Sequence, residues 1–268
     1  MSVQYRNNLH IGGTGDATMV FAHGLGCDQT MWRFLAPAYQ DRFRTILYDL
    51  TGSGASDRSA YDRTRHASLH GHADDLLEIL EACSAGPVVF VGHSVSAMIG
   101  LLAANKAPER FAAQVMVGPS PCYINDGDYV GGFNREDMEA MLGLMEADFP
   151  SWSQRMAPIL MGGLRPELTK ELLASFMRND QGIARHFGRA TFLSDHRADL
   201  LHTTVPSLIL QCSDDLIVPR EVGDYMLRHL PNSSLRVIDD EGHCPHVSAS
   251  SATSRAIDAF LHRTSSPA

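Results

Sequence analysis

The spacing of apolar residues predicts a chain in which buried strands alternate with helices. Short apolar segments that are rich in β-branched residues and bounded by Gly, Pro or Asp are typical of buried strands. They fall at residues 18–22, 45–48, 87–91, 114–117 and 207–211, with 235–238 as a weaker sixth. Because such strands need cover on both faces, the pattern predicts a mostly parallel sheet in an α/β fold.

Helical patterns fill the intervals between these strands. Residues 69–82 are amphipathic, 95–105 are apolar, and 254–262 form a helix near the end of the chain. Between residues 124 and 195 no convincing strand is present. Four short helices are predicted in that interval, at residues 135–147, 151–161, 166–178 and 181–193. We therefore expect a core domain of residues 1–123 and 196–268, interrupted by a helical insertion of residues 124–195.

Composition excludes several classes of function. The 268 residues carry 22 Lys and Arg against 31 Asp and Glu, a formal net charge of −9, and no basic cluster is present. Binding to nucleic acid or to an anionic membrane surface needs clustered Lys and Arg, so neither is expected. Hydrophobic residues at 44% and charged residues at 20% are typical of a folded globular chain rather than a disordered one.

The ends and the cysteines indicate a cytoplasmic protein. No secretory signal is visible in residues 1–25, and no apolar run approaches the roughly 20 residues that span a bilayer. The odd number of cysteines, with no close pairs, favours free thiols in a reducing compartment. They are Cys27, Cys83, Cys122, Cys212 and Cys244.

A Gly-His-Ser-Val-Ser sequence at residues 92–96 lies between a predicted strand and a predicted helix. This is the context of the nucleophile elbow, a sharp turn that exposes a serine at the carboxyl edge of a sheet. Ser94 is therefore a candidate nucleophile. Ser96 takes the place of the second glycine in the usual pattern. The alternative is that Ser94 only caps an ordinary helix.

A serine nucleophile needs a histidine to take its proton and an acid to orient that histidine. Asp214 and Asp215 follow the strand at 207–211, and His243 follows the last strand. Asp215 is the preferred acid because it lies four residues before Pro219, the usual spacing in proteins that carry such a turn and acid. His243 is the preferred base, and His246 remains a competing one.

Two backbone amides are candidates for stabilising a developing oxyanion. The His-Gly-Leu-Gly segment at residues 23–26 follows the first predicted strand, so the amide of Leu25 is free to point towards Ser94. The second donor is the amide of Val95, at the amino end of a helix. The alternative is a glycine-rich turn with no chemical role.

Other reactive side chains have plainer explanations. His66, His70 and His72 have near-helical spacing, but a solvated helix face explains them better than a metal site does. Cys244 beside the candidate base is interpreted as a buried thiol rather than a nucleophile. No metal and no cofactor is expected.

These motifs together resemble the α/β-hydrolase superfamily, and especially the branch that holds the bacterial stress regulator RsbQ and the plant strigolactone and karrikin receptors. Further matching segments are residues 120–126, 131–133 and 192–197. The resemblance implies a mostly parallel eight-stranded sheet flanked by helices, with residues 124–195 forming a four-helix lid. It also implies a triad of Ser94, Asp215 and His243.

The resemblance further implies an apolar pocket beneath the lid. Besides Leu25, the positions that face this pocket in the family are Tyr123, Phe133, Trp152, Met156, Phe192 and Ile217. Met138, Met141, Met145, Met156 and Met161 have helical spacing, so part of this apolar surface is explained equally well by packing.

Two functions are compatible with these residues. One is a serine hydrolase that cleaves a small apolar ester or lactone through an acyl-enzyme. The other is a receptor of the RsbQ type, which binds or slowly hydrolyses a small molecule and signals through its lid to a protein partner such as a phosphatase. In neither case is a nucleic acid or a membrane the expected partner.

Overall fold

The computed structural model describes residues 2–163 and 165–265. Within them, seven strands form one sheet in the order β1-β3-β2-β4-β5-β6-β7. The strands are β1 (His10–Gly12), β2 (Ala17–Ala22), β3 (Phe43–Tyr48), β4 (Val88–His93), β5 (Phe111–Val117), β6 (Ser207–Asp214) and β7 (Ser233–Glu241). Only the pairing of β1 with β3 is antiparallel, and the other pairs are parallel. The carboxyl ends of β2 to β7 therefore lie along a single edge.

Helices cover both faces of the sheet. They are α1 (Val3–Arg6), α2 (Leu69–Cys83), α3 (Val95–Lys106), α4 (Arg135–Ala147), α5 (Phe149–Met161), α6 (Pro166–Arg178), α7 (Gln181–Phe192), α8 (Arg220–His229), α9 (Pro245–Ser248) and α10 (Ser250–Ser265). Single 3-10 turns lie at Gln29–Trp32, Ala36–Tyr39, Arg58–Ala60, Arg65–Ala67, Pro108–Arg110 and Ala198–His202. In the described residues no helix is both long and apolar enough to cross a membrane.

Alternating side chains of the strands build two separate cores. Met19 and Phe21 of β2 pack with Trp32 and with residues of α10, whereas Val20 packs on the opposite face with Phe90 and the residues of α2 and α3. This division follows from the two-residue period of a strand, which sends successive side chains to opposite faces. The strands are apolar on both sides because both faces are covered.

The structure confirms the predicted strands and corrects their number. Five of the six predicted apolar segments lie within strands, and the sixth, 87–91, begins one residue before β4. The described chain forms seven strands rather than the eight implied by the resemblance. The residues before β1 form α1 instead of a strand, so β1 is the edge of the sheet. Neither β1, which is short and mostly exposed, nor α8 was predicted. A strand with no buried alternation leaves no pattern to detect.

The four predicted helices of the insertion are present between β5 and β6. Helices α4 and α6 have the predicted bounds, α5 begins two residues earlier at Phe149, and α7 ends one residue earlier at Phe192. Asp148 caps α5 through a hydrogen bond from the amide of Ser151, and Asp180 caps α7 through one from the amide of Ile183. The insertion packs over the carboxyl edge of the sheet, where Ser94 lies.

Candidate active site

Ser94 occupies a strained turn between β4 and α3. Its backbone has φ 55° and ψ −121°, an unusual conformation for a residue other than glycine. A Cβ at Gly92 would lie 2.6 Å from the carbonyl oxygen of Ser96, so the tight turn requires glycine there. The amide of Ser94 donates to the carbonyl of Val117 at 2.7 Å, which anchors the turn to β5. The turn has the geometry of a nucleophile elbow.

Three side chains from three different loops form a continuous hydrogen-bonded chain. His243 Nε2 lies 2.9 Å from Ser94 Oγ, and His243 Nδ1 lies 2.6 Å from Asp215 Oδ2. A carboxylate only accepts, so the ring donates from Nδ1 and is left to accept the serine hydroxyl at Nε2. All three side chains are buried, which strengthens these bonds by excluding water.

The orientation of Asp215 is fixed by the backbone that follows it. Its Oδ1 accepts hydrogen bonds from the amides of Ile217 at 2.8 Å and Val218 at 3.1 Å, which leaves Oδ2 for His243. Asp214, the neighbouring carboxylate, is exposed and bonds only at 3.3 Å with the Ser213 hydroxyl among the hydrogen bonds of the described chain. The preference for Asp215 over Asp214 agrees with this arrangement.

The insertion holds the loop that carries the histidine. The amide of His243 donates to the carbonyl of Leu160 near the end of α5 at 2.7 Å. Gly242 has φ +96°, and a Cβ there would lie 2.8 Å from that same carbonyl oxygen. Arg165 donates to the carbonyl of Glu241 at 2.7 Å. The position of the imidazole therefore depends on contacts that the helical insertion makes.

The two candidate oxyanion donors border the turn. Val95 is the first residue of α3, where amides are free of helical partners and the helix dipole is positive. The backbone of Gly24 lies so close to the turn that a Cβ on it would be 3.4 Å from Ser94 Cβ and 2.6 Å from His93 Nδ1. Leu25 follows Gly24 directly and lines the same cavity as Ser94.

A small apolar cavity lies over Ser94 and His243. It encloses about 30 Å³, enough for about two water molecules. Five of the six pocket residues implied by the resemblance line it, together with Leu25: they are Tyr123, Trp152, Met156, Phe192 and Ile217. Phe133 is not among the described lining residues. It is half-buried, and its amide bonds to the carbonyl of Tyr123 at 3.1 Å.

Seven lining residues were not expected from the sequence. They are Cys27, His93, Leu160, Leu172, Phe176, Thr191 and Cys244. Leu172 and Phe176 are four residues apart on α6, so the apolar face of that predicted helix was a usable signal. Leu160 and Thr191 lie near the ends of α5 and α7. Cys27, His93 and Cys244 come from loops and a strand end, where no periodicity indicates a direction.

Burial changes the acidity of two groups that line the cavity. It raises the pKa of the Tyr123 hydroxyl to about 12, so this group remains a neutral donor near Ser94. It also holds the pKa of the Cys244 thiol well above its usual range. A thiol that stays protonated is a weak nucleophile, which agrees with the interpretation of Cys244 as a buried thiol.

The competing base, His246, lies in a different environment. Its ring packs 4.5 Å from the ring of Trp32 and 4.3 Å from that of His93, measured between centroids. Neither of its nitrogens has a hydrogen-bond partner in the described part of the chain, and burial lowers its pKa to about 3. The hydrogen bond to Ser94 comes from His243 instead.

Of the three histidines considered for a metal, two lie together, with their rings 4.6 Å apart, and the third lies elsewhere. His66 and His72 lie near Asp75, whereas the ring of His70 lies 6.0 Å from that of His196. Asp75 Oδ2 already faces His66 Nε2 at 2.9 Å and the Thr51 hydroxyl at 2.6 Å. Asp75 Oδ1 is paired with Arg65 at 2.6 Å. Both carboxylate oxygens of Asp75 therefore already have partners within the protein. The solvated helix face expected for these histidines is wrong for His66 and His72, which are buried.

The fold, the turn at Ser94 and the hydrogen-bonded chain are features of one protein class. A family model described as the alpha/beta hydrolase family matches residues 19–256. The chain therefore belongs to the alpha/beta hydrolase family.

Individual relatives place the chain more narrowly. It is 36% identical to strigolactone esterase RMS3 of Pisum sativum, over 95% of this chain and 96% of that protein. It is also 36% identical to a karrikin insensitive 2 receptor of Petunia hybrida, over 92% of each chain. A solved hydrolase from Oleispira antarctica superimposes with a TM-score of 0.95 at 40% identity, covering 97% of this chain and 96% of that one. The resemblance to the receptor branch is confirmed by these relatives.

Proposed function

We propose that this protein hydrolyses a small apolar ester or lactone through an acyl-enzyme on Ser94. The observation that carries the proposal is the chain of hydrogen bonds from Asp215 through His243 to Ser94, at 2.6 and 2.9 Å. This is the arrangement by which a histidine accepts a serine proton while a carboxylate stabilises the resulting imidazolium.

The reaction has two steps. Ser94 Oγ attacks the carbonyl carbon as its proton passes to His243 Nε2, and the amides of Leu25 and Val95 donate to the oxyanion that forms. The tetrahedral intermediate collapses, the C–O bond to the leaving alcohol breaks, and His243 returns the proton to that alcohol. Water then attacks the acyl-enzyme by the same route and releases the acid and free Ser94.

The shape of the site limits the substrate. The lining of Trp152, Met156, Phe192 and Ile217 is apolar, so a hydrocarbon acyl or ring group is the matching ligand. The cavity encloses only about 30 Å³, so a larger ligand needs the helices above it to move. We assign residues 124–195 as a lid on this basis, over a core of residues 1–123 and 196–268.

The proposal is tested with p-nitrophenyl acetate. Ser94→Ala is expected to lower kcat by at least about 10³-fold, because the nucleophile is removed while the fold remains. Ser251→Ala, at an exposed position of α10, is the matched control and is expected to retain wild-type turnover. Unchanged turnover in Ser94→Ala would refute the proposal.

A second candidate function is that of a receptor that binds or slowly hydrolyses its ligand and then engages a signalling protein, such as a phosphatase, through the lid. It is favoured by the relative that is itself a karrikin insensitive 2 receptor and by the hydrogen bond from His243 to Leu160, which couples the site to α5. The number of turnovers separates the two. Many rounds of p-nitrophenol release per protein favour the enzyme, and a single near-stoichiometric burst favours the receptor.

A further inference from the structure

The serine that replaces the second glycine of the elbow pattern makes a specific contact. Ser96 is fully buried in the first turn of α3, and its hydroxyl donates to the carbonyl of His23 at 2.5 Å. The backbone of residue 96 packs tightly against β4, since a Cβ at Gly92 would lie 2.6 Å from its carbonyl oxygen. The side chain points instead towards the loop after β2.

This contact joins the two segments that carry the proposed oxyanion donors. His23 lies two residues before Leu25, and Ser96 lies one residue after Val95. The side chain of His23 bonds only to residues outside α3 among the hydrogen bonds of the described chain. Its Nε2 accepts from the amide of Leu50 at 3.0 Å, and its Nδ1 faces the carbonyl of Gly24 at 2.8 Å. Those bonds do not tie the loop to α3, whereas the Ser96 hydroxyl does.

We propose that Ser96 is a positioning residue that sets the separation between the amides of Leu25 and Val95. Oxyanion stabilisation depends on donors placed about 2.7–3.1 Å from the oxygen that develops charge, so a small displacement of one loop weakens it. A buried hydroxyl bonded to a buried carbonyl holds that separation in a way a glycine does not. The inference rests on the function proposed above. It gives a specific role to the serine that stands at residue 96 in place of the second glycine of the elbow pattern.

The test compares Ser96→Ala and Ser96→Gly with Ser96→Thr. The first two remove the hydroxyl, and glycine is the residue that the general elbow pattern prefers, so the fold has precedent for accepting it. We expect kcat/KM for p-nitrophenyl acetate to fall by about 10–100-fold in both, less than the 10²–10³-fold loss of a whole donor. Ser96→Thr, which keeps the hydroxyl, is expected to retain most of the wild-type kcat/KM.

A second readout distinguishes positioning from simple destabilisation. Sulfur accepts hydrogen bonds weakly, so an enzyme with a working oxyanion site hydrolyses p-nitrophenyl acetate faster than its thionoester, in which sulfur replaces the carbonyl oxygen. The ratio of the two rates should fall by about 10-fold or more in Ser96→Ala. Ser207→Ala, which removes another fully buried hydroxyl, bonded to the Val205 carbonyl, is the matched control and should leave the ratio unchanged.

The outcomes separate this inference from the proposed function. If Ser94→Ala is inactive while Ser96→Ala and Ser96→Gly keep the wild-type ratio of ester to thionoester rates, the positioning role is overturned and the hydrolase remains. Equal losses on both substrates also overturn it, because they indicate a destabilised fold. If the wild type hydrolyses the ester without dependence on Ser94, the proposed function itself fails.

Discussion

Two neighbouring carboxylates show how single residues acquire different roles. The Asp215 side chain is 1% exposed and is held by two backbone amides and His243, whereas Asp214 is exposed and faces solvent. In the sequence, only the distance from Pro219 distinguishes the two carboxylates. The difference in surroundings gives a physical reason for the preference for Asp215, because only a fixed, buried carboxylate can hold an imidazole in one tautomer.

Asparagine at each position gives a matched pair of variants. In Asp215→Asn an amide N–H can face Nδ1, which favours the tautomer with hydrogen on Nε2 and leaves no acceptor for Ser94. We expect kcat for p-nitrophenyl acetate to fall by about 10³–10⁴-fold, with little change in Tm. Asp214→Asn should stay within about 2-fold of wild type. Equal effects of the two substitutions would contradict the assignment of the acid.

The helices of the insertion contribute much of the cavity lining, and only their presence, not their packing, is apparent from the sequence. The existence of α4 to α7 could be predicted because amphipathic periodicity is local. The way α6 lies on the core could not be predicted, since it depends on packing between residues that are distant in sequence. Phe176 of α6 packs so closely on Gly26 that a Cβ there would lie 2.4 Å from the ring. The cavity volume is set by such contacts.

Leu172 of α6 lines both the cavity over Ser94 and a second, outer cavity of about 340 Å³. Leu172→Ala is expected to join the two and admit longer acyl chains, at a cost of about 2–5 kcal/mol in the free energy of unfolding. The ratio of kcat/KM for p-nitrophenyl hexanoate to that for the acetate should rise by about 10-fold. Leu168→Ala, which lines only the outer cavity, is the control. An unchanged ratio in Leu172→Ala would show that this wall does not limit chain length.

At the scale of the whole molecule, the strand-and-helix alternation and the order of Ser94, Asp215 and His243 could be predicted because each depends on a short motif at a strand end. The edge of the sheet and the placement of Phe133 could not. The edge of the sheet is β1, a short and mostly exposed strand that has no buried alternation to recognise. The placement of Phe133 depends on how the segment before α4 folds back on Tyr123.

Buried neutral histidines make the stability of the whole fold depend on pH. Burial lowers the pKa of His72 and of His246 to about 3, against about 6.5 in an unfolded chain. Between about pH 3 and pH 6.5 the unfolded state therefore binds more protons than the folded state. The contribution of the neutral histidines to the free energy of unfolding is fully present above pH 6.5 and is lost as the pH falls towards 3.

Lowering the pH from 7.5 to 5.0 should cost about 2 kcal/mol of unfolding free energy for each of these histidines. Urea unfolding at the two pH values measures this change. His72→Phe, beside the ring of Phe187 at 4.4 Å, should reduce the acid-induced loss by about 2 kcal/mol. If wild type and His72→Phe lost the same free energy, His72 would not be the source.

The central claim, that Ser94 is a nucleophile activated by His243, is tested most directly by labelling with an alkyl fluorophosphonate and mapping the adduct by mass spectrometry. We predict one phosphonyl group per chain, located on the peptide that contains Ser94, and labelling slowed by about 10³-fold or more in His243→Ala. An unlabelled Ser94, or an adduct on another residue such as Cys244, would contradict the account.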